Sequence, residues 1–318
     1  MIRKKTAPLD LNELIKSLYL LMKPRVMSLV IFTCAVGFLT SNSDTNTLDA
    51  MISIAFVSIG AGAAGCLNMW YESDLDALMT RTCLRPIPTG KINRKQALIF
   101  GIALSFISVI ALNYFSNFLS ASLLLFTIFF YLFVYTIWLK RKTPQNIVIG
   151  GVAGALPPVI GWTIATNAIS LEPLAYFLII FFWTPSHFWA LSLYKADDYK
   201  KAKIPMLPLT DGIEKTKLYI FVYSLLMLPV IIFPYLIGFS GFVYLVGEGK
   251  QDQEFIRNNK HVLKSKQKGF SLLYFEKPKE DELIFKYLLE YDSWKFDNQK
   301  NSEGMYRQVI LFKLKIIT

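Results

Sequence analysis

Long apolar runs alternate with short polar segments over the first 246 residues of the chain. A helix that crosses a membrane needs about 20 mostly apolar residues, and seven runs approach or reach that length. The predicted spans are residues 26–40, 51–70, 97–112, 119–139, 147–165, 174–193 and 218–239. The first and third runs are short, so their helices should extend into flanking residues. The pattern predicts an all-α, polytopic transmembrane helix bundle.

The composition agrees with a membrane protein and excludes several other classes. Of the 318 residues, 53% are apolar and 18% are charged, whereas soluble domains average nearer 45–50% apolar and about 25% charged. A chain this apolar is not disordered. Three cysteines cannot all pair, which excludes a disulfide scaffold, and two histidines exclude a metal cage built from several histidines.

The distribution of positive charge predicts the orientation of the spans. The net charge is +11, which on a soluble protein would suggest nucleic-acid binding. All 20 Lys and Arg residues before position 247, however, lie in the N-terminal segment or in alternate loops, at 81–95, 140–142 and 195–217. Such an excess of Lys and Arg marks cytoplasmic loops. Residues 1–25 are therefore predicted to be a cytoplasmic segment, and we expect no nucleic-acid partner.

The chain changes character after Val246, where the transmembrane domain, residues 26–246, is predicted to end. Residues 247–318 contain 14 Lys or Arg, 11 Asp or Glu and no run near 18 apolar residues. The apolar stretches at 283–289 and 309–317 are too short to cross a membrane. A shifted reading frame, a truncation or a genuine divergent segment would each produce this charged tail.

A row of polar side chains follows the second predicted span at its cytoplasmic end. Asn68, Glu72 and Asp76 are spaced four residues apart, so on a helix they share one face over about 12 Å. Carboxylates at a membrane boundary need a compensating cation, and hard oxygen ligands suit Mg²⁺ that also binds a phosphate. Arg81 and Arg85 follow, and arginine matches phosphate oxygens with paired hydrogen bonds. A capped helix end with solvated charges is the structural alternative.

A second acidic segment stands at the cytoplasmic end of the sixth predicted span. Asp197 and Asp198 are followed by Lys200, so both acidic segments have basic neighbours and lie on one side of the membrane. Such a pair can hold a diphosphate through metal ions and neutralise the charge that develops when an allylic diphosphate ionises. The sixth span also contains His187, and a histidine in a membrane helix is a functional candidate. A hydrogen-bonded structural histidine is the alternative.

These motifs resemble the intramembrane (UbiA-type) prenyltransferase superfamily and, within it, the branch that farnesylates haem. The first motif of that branch has the form N-x-W-x-[DE]-x-x-x-D-x-x-M-x-R-T-x-x-R-P. The chain matches it at Asn68, Trp70, Glu72, Asp76, Met79, Arg81, Thr82, Arg85 and Pro86. Further matches are residues 23–26, Pro157, Pro158, Gly161, residues 187–190, Asp198, Tyr199 and residues 205–208. The resemblance covers residues 15–246.

The resemblance implies nine helices around a central cavity open toward the cytoplasm, so the charged tail stands where the last two spans are expected. It implies transfer of the farnesyl group of farnesyl diphosphate to a vinyl group of haem B, which gives haem O and diphosphate. The implied catalytic residues are Asn68, Glu72, Asp76 and Asp198, which with Asp197 would also bind Mg²⁺. The implied substrate-binding residues are Arg25, Arg81, Arg85 and Lys200 for the diphosphate and His187 for haem.

By the same resemblance, the expected partners are the two substrates, membrane lipid and a haem A synthase acting downstream. The expected location is a bacterial inner membrane rather than a mitochondrial one, because the N-terminal segment lacks a Ser- and Arg-rich, acid-poor leader. Three alternatives stay open: a related enzyme with a quinone or chlorophyll-type acceptor, an inactive homologue, and a cation-coupled transporter. In a transporter, the acidic residues should lie near the bilayer midplane.

Overall fold

A computed structural model of the chain describes residues 10–240 apart from 42 and 44, together with three strands at 272–279, 282–300 and 306–316. The chain divides into two compact units, Met1–Val230 and Ile231–Thr318. Residues 1–9 of the predicted cytoplasmic segment lie outside the described residues, and so does the predicted domain boundary after Val246.

The described part of residues 10–240 folds into α-helices and one π-helical segment. The α-helices are α1 (Leu11–Leu21), α2 (Pro24–Thr40), α3 (Thr47–Tyr71), α4 (Ser73–Asp76), α5 (Arg94–Phe115), α6 (Phe118–Phe129), α7 (Asn146–Ala155), α8 (Pro157–Thr166), α9 (Leu171–Tyr194), α10 (Ala196–Lys201), α11 (Leu207–Thr210) and α12 (Ile213–Leu236). The π-helical segment, Phe130–Leu139, continues α6.

Within the described residues, six helices are long and apolar enough to cross a membrane. They are α3, α5, α6 with the π-helical segment, α7 with α8, α9 and α12. The pair α1 and α2, bent by 51°, provides a seventh candidate. The short first and third predicted runs do extend, to Pro24 and to Arg94. The prediction of an all-α, multi-pass bundle is thus confirmed for this part of the chain.

Proline and capping residues explain several helix boundaries. Lys23 has a left-handed backbone with φ of 54°, and α2 begins at Pro24. Proline lacks an N–H group and disfavours helical geometry in the residue before it, so α1 cannot continue into α2. Pro157 marks the boundary between α7 and α8 because it lacks the N–H group, although Leu156 before it keeps a right-handed helical backbone. Asn93 and Gln96 form reciprocal hydrogen bonds at the start of α5, which satisfy free N–H groups of the first turn.

Two glycines allow α2 and α8 to pack backbone against backbone. A Cβ atom on Gly37 would overlap the carbonyl group of Pro158, and one on Gly161 would overlap the carbonyl group of Cys34. Small residues matter at such crossings because packing, rather than the hydrophobic effect, holds membrane helices together. The core cluster around this crossing includes Val57, Leu112, Leu124, Ile128, Ile160 and Ile164.

A second apolar cluster joins three loops at one end of the bundle. Its buried members are Leu75, Met79, Ile147, Trp189, Ala202, Ile204, Met206 and Leu207. They come from the connection between α3 and α5, from the start of α7, and from the end of α9 and the segment after it. The loops that the charge pattern assigns to one side of the membrane therefore meet in the fold.

The charged tail contains three described strands, β1 (Leu272–Lys279), β2 (Glu282–Lys300) and β3 (Tyr306–Ile316). They form an antiparallel sheet in the order β1-β2-β3, with Leu289 opposite both Leu272 and Ile316. The sequence pattern predicts no helix or strand in this tail. Its two short apolar stretches fall largely in β2 and β3, where a strand needs far fewer residues than a membrane helix.

Candidate active site

Asn68, Glu72 and Asp76, here called the acidic row, follow one helical path. The N–H of Glu72 donates to the carbonyl of Asn68 at 2.9 Å, and the N–H of Asp76 donates to the carbonyl of Glu72 at 2.8 Å. The three residues are only 2%, 2% and 4% exposed, respectively. The structure therefore turns all three side chains into the protein, away from lipid and solvent.

Each member of the acidic row contacts a basic side chain from another part of the chain. Buried charges are tolerated when they are paired in this way. The contacts are Lys23 Nζ to Asn68 Oδ1 at 2.6 Å, Lys140 Nζ to Glu72 Oε2 at 2.6 Å, and Arg85 Nη1 to both carboxylate oxygens of Asp76 at 2.8 Å. Among the ion pairs of the described residues, the pair of Glu72 and Lys140 is the most enclosed, with side chains 3% and 19% exposed.

The π-helical segment supplies much of the wall beside the acidic row. Thr136 accepts a hydrogen bond from Nδ2 of Asn68 at 3.1 Å and donates one to the carbonyl of Tyr131 at 2.8 Å. The rings of Tyr131 and Tyr135 stack with centroids 5.4 Å apart, and Lys140 lies 5.7 Å from the ring centroid of Tyr135. Short π-helical turns frequently mark functional sites.

The second acidic segment is connected to the first through Thr80. Asp198 is 7% exposed, and its two carboxylate oxygens accept from the Thr80 hydroxyl at 2.8 and 2.6 Å. Thr80 lies four residues after Asp76, so this bond ties α10 to the loop that follows the acidic row. The hydrogen bond from Thr80 lowers the pKa of the Asp198 carboxyl below its usual 3.8, because it stabilises the charged form.

We expect Thr80→Val to be less stable at neutral pH than the Thr80→Ser variant, which keeps the hydroxyl. A carboxyl with a lowered pKa in the folded state stabilises the fold above its ordinary pKa, and this contribution is lost as the pH falls through the lowered value. The difference in unfolding free energy between the two variants should therefore begin to narrow below about pH 4. Denaturation from pH 3 to pH 7 measures it, and a difference independent of pH would contradict the role of Asp198.

The other predicted site residues lie at the surface of this structure. Arg25, Arg81, Asp197, Lys200 and His187 are exposed, and none of them contacts the acidic row through a hydrogen bond or ion pair in the described structure. The ring of His187 stacks on that of Trp183 with centroids 4.3 Å apart. The structure thus brings together Asn68, Glu72, Asp76 and Arg85. Asp198 is bonded to Thr80, in the loop that follows these residues. The five exposed residues lie outside this cluster.

The oxygen ligands of this site suit an Mg²⁺ ion that also binds a phosphate. Among the described residues, Oε1 of Glu72 is buried without a hydrogen-bond partner, so one carboxylate oxygen is free to bind a ligand. No group of three or more His, Cys, Asp or Glu residues in the described part of the chain could hold a metal ion alone. Mg²⁺ commonly takes only one or two carboxylates and completes its shell with water and substrate phosphate.

Sequence reasoning missed several residues of this site. Lys140 was assigned only to the charge pattern of the loops, although it pairs with Glu72. Lys23 was noted in the motif at 23–26 but given no role. The i, i+5 contact between Tyr131 and Thr136 has no counterpart in an ordinary helical pattern, so only the π-helical geometry reveals it.

The fold and the acidic row define a multi-pass membrane protein of a known class. Residues 29–248 match the UbiA prenyltransferase family, and the chain belongs to this family. A protein from Pelagibacter ubique named protoheme IX farnesyltransferase is 74% identical over 250 residues, which are 77% of this chain and 82% of that protein. Protoheme IX farnesyltransferase 2 of Mesorhizobium japonicum is 56% identical over 70% of this chain and 71% of its own length. The predicted membership in the superfamily is confirmed.

Solved structures show the same fold. A UbiA homologue from Archaeoglobus fulgidus, bound to DMAPP and Mg²⁺, aligns with a TM-score of 0.61 at 18% identity, over 71% of this chain and 80% of that one. A UbiA homologue from Aeropyrum pernix K1 aligns with a TM-score of 0.53 at 20% identity, over 71% and 83%. The charged tail matches a different family, described as ScoMcrA-like, SRA domain, over residues 237–318.

Proposed function

We propose that the chain transfers the farnesyl group of farnesyl diphosphate to a vinyl group of haem B, giving haem O and diphosphate. The observation that carries the proposal is the buried acidic row, which meets three basic side chains and keeps one carboxylate oxygen unpartnered. Relatives that bear the name protoheme IX farnesyltransferase support haem as the acceptor.

Asn68, Glu72 and Asp76 would hold one Mg²⁺, and Asp198, with Asp197 beside it, a second. When bound, the metal supplies positive charge that stabilises the departing diphosphate. The burial of the acidic row favours this role, since electrostatic stabilisation is stronger where water is excluded. Diphosphate would supply the oxygen ligands that the protein side chains do not provide.

The basic residues around the row bind and neutralise the diphosphate. Lys23, Arg85 and Lys140 neutralise the row in this structure, and their N–H donors can turn to phosphate oxygens. Arg25, Arg81 and Lys200, which are exposed, would meet the diphosphate as it arrives.

Transfer begins when the bond between C1 of the farnesyl group and the diphosphate oxygen breaks, and the bonding electrons leave with the diphosphate. The haem vinyl group attacks the resulting allylic cation, which moves the positive charge to the vinyl carbon next to the porphyrin ring. Water adds to that carbon and gives up a proton to the released diphosphate, which completes the hydroxyethylfarnesyl substituent. The side chains of Tyr131 and Tyr135 beside the row keep water from the cation until the vinyl group has reacted. His187, next to Trp183 on α9, would contact the haem.

The cellular setting follows from the same proposal. The enzyme would lie in a bacterial inner membrane with its N-terminus in the cytoplasm, which the charge pattern supports. Haem O would pass to a downstream haem A synthase or directly to a terminal oxidase. The charged tail, residues 247–318, would be a separate domain in the place of the last two spans.

Supplying membranes that contain the full chain with labelled farnesyl diphosphate and either haem B or a quinone precursor tests the acceptor. We expect Mg²⁺-dependent release of diphosphate and label in haem O alone. Label in the quinone product would identify the related enzyme instead. Ion flux without diphosphate release would favour a transporter, and folded protein without any product would favour an inactive homologue.

A further inference from the structure

A basic cleft lies close to the acidic row but shares no residue with it. The cleft has a volume of about 370 Å³ and is lined by Leu75, Leu78, Arg141, Lys201, Ala202 and Lys203. Three of the six lining residues are cationic and three are apolar. Such a surface suits a ligand that carries carboxylates on an apolar body.

The chain connects the cleft directly to the candidate active site. Leu75, which lines the cleft, precedes Asp76, and Arg141 follows Lys140, the partner of Glu72. Neighbouring residues of the same two segments thus face the cleft and the acidic row. A ligand held in the cleft would therefore lie beside the two segments that carry Asp76 and Lys140.

Arg141 is held in position and keeps donors for a further anion. Its two terminal nitrogens donate to Asp74 at 3.1 and 2.9 Å, and its guanidinium lies 5.1 Å from the ring centroid of Tyr71. Arginine has five N–H donors, so these two bonds leave three. The pairing fixes the guanidinium at the cleft without exhausting its capacity to bind.

Lys203 occupies a backbone position that does not favour lysine. Its φ is 53°, in the left-handed region, which glycine and asparagine adopt more readily. A strained residue of this kind is held by its surroundings and is often found at a functional site. Lys203 lies just beyond the C-terminus of α10, and its side chain lines the cleft.

We propose that this cleft binds the two propionate carboxylates of haem B, an inference that rests on the proposed function. Arg141, Lys201 and Lys203 place three positive charges in the lining, and none of the lining residues is acidic. Arg141 pairs with Asp74 and Lys201 lies near Asp198, so the lining can bind the propionate carboxylates through the donors that remain. Leu75 and Leu78 would pack against the adjoining porphyrin edge. Because the vinyl groups lie on the opposite edge of the macrocycle, anchoring the propionates here turns a vinyl group away from the cleft and toward the acidic row.

The test compares haem B with its dimethyl ester, which lacks the carboxylate charges. Both are titrated by absorbance into the full chain in phosphatidylcholine nanodiscs. We expect the parent protein, which is the unmodified chain, to bind haem B roughly tenfold more tightly than it binds the ester. The variant Lys201→Gln/Lys203→Gly should lose most of this preference while binding the ester as the parent does. Replacing Lys203 by glycine also relieves the backbone, so the variant should unfold at no lower temperature.

A matched control removes two exposed charges elsewhere, with Arg94→Gln/Lys95→Gln at the start of α5, and should keep the preference for haem B. An unchanged preference for haem B in the cleft variant would overturn the proposal. Farnesyl diphosphate affinity should not change in either variant. A parent that binds neither porphyrin would instead refute the proposed acceptor.

Discussion

Asp76→Asn is expected to lower the rate of farnesyl transfer at least about a hundredfold while the protein still inserts and folds. The amide keeps the shape of the side chain but removes the charge that would bind Mg²⁺. A metal-mediated electrostatic contribution is worth several kcal/mol of barrier, and each 1.36 kcal/mol changes a rate about tenfold. The Mg²⁺ concentration for half-maximal rate should also rise. Initial rates over a range of Mg²⁺ concentrations measure both effects.

Asp211→Asn provides the matched control for this substitution. The Asp211 carboxylate lies in an exposed ion pair, where it accepts a hydrogen bond from Lys215 at 2.7 Å. Its replacement by asparagine removes the same charge as Asp76→Asn does. Exposed pairs of this kind contribute little to stability, so this variant should keep the parent's rate and Mg²⁺ dependence. If Asp76→Asn transferred farnesyl at a rate within threefold of that of the unmodified chain, Asp76 would not belong to the active site.

The membrane bundle was predictable because its physical cause is local. A helix in lipid must satisfy its own backbone hydrogen bonds, so the apolar runs translate directly into spans. The bend at Lys23 also follows from the chain itself, since Pro24 stops the preceding helix. By contrast, the strands of the charged tail depend on pairing between segments, which a single apolar stretch does not specify.

The candidate site was predictable only where its residues repeat at helical spacing. Asn68, Glu72 and Asp76 share a face because they lie four residues apart, and the structure buries that face. Arg85 lies only nine residues from Asp76, but the other partners come from distant segments: Lys23 lies 45 residues from Asn68, and Lys140 lies 68 residues from Glu72. Thr80, the partner of Asp198, lies 118 residues from it. Partners at such separations follow from tertiary packing, and a lysine in a basic loop is indistinguishable from its neighbours in the sequence.

The ion pair of Glu72 and Lys140 leads to a second large effect. Lys140→Met leaves a buried carboxylate without its cation, which should lower the free energy of unfolding by about 3–5 kcal/mol. The double variant Glu72→Gln/Lys140→Met removes both charges and should recover most of that loss. Denaturation of the single and double variants in detergent measures this coupling.

Binding of inorganic diphosphate without Mg²⁺ then separates a structural role of Lys140 from a role in substrate binding. In Glu72→Gln the lysine loses its carboxylate partner but stays in the site, so this variant should bind diphosphate roughly tenfold more tightly than the parent. Adding Lys140→Met should abolish that gain, because the freed ammonium group is the one that meets the phosphate oxygens. Equal affinities of Glu72→Gln and the double variant, measured by calorimetry, would mean that Lys140 only balances Glu72.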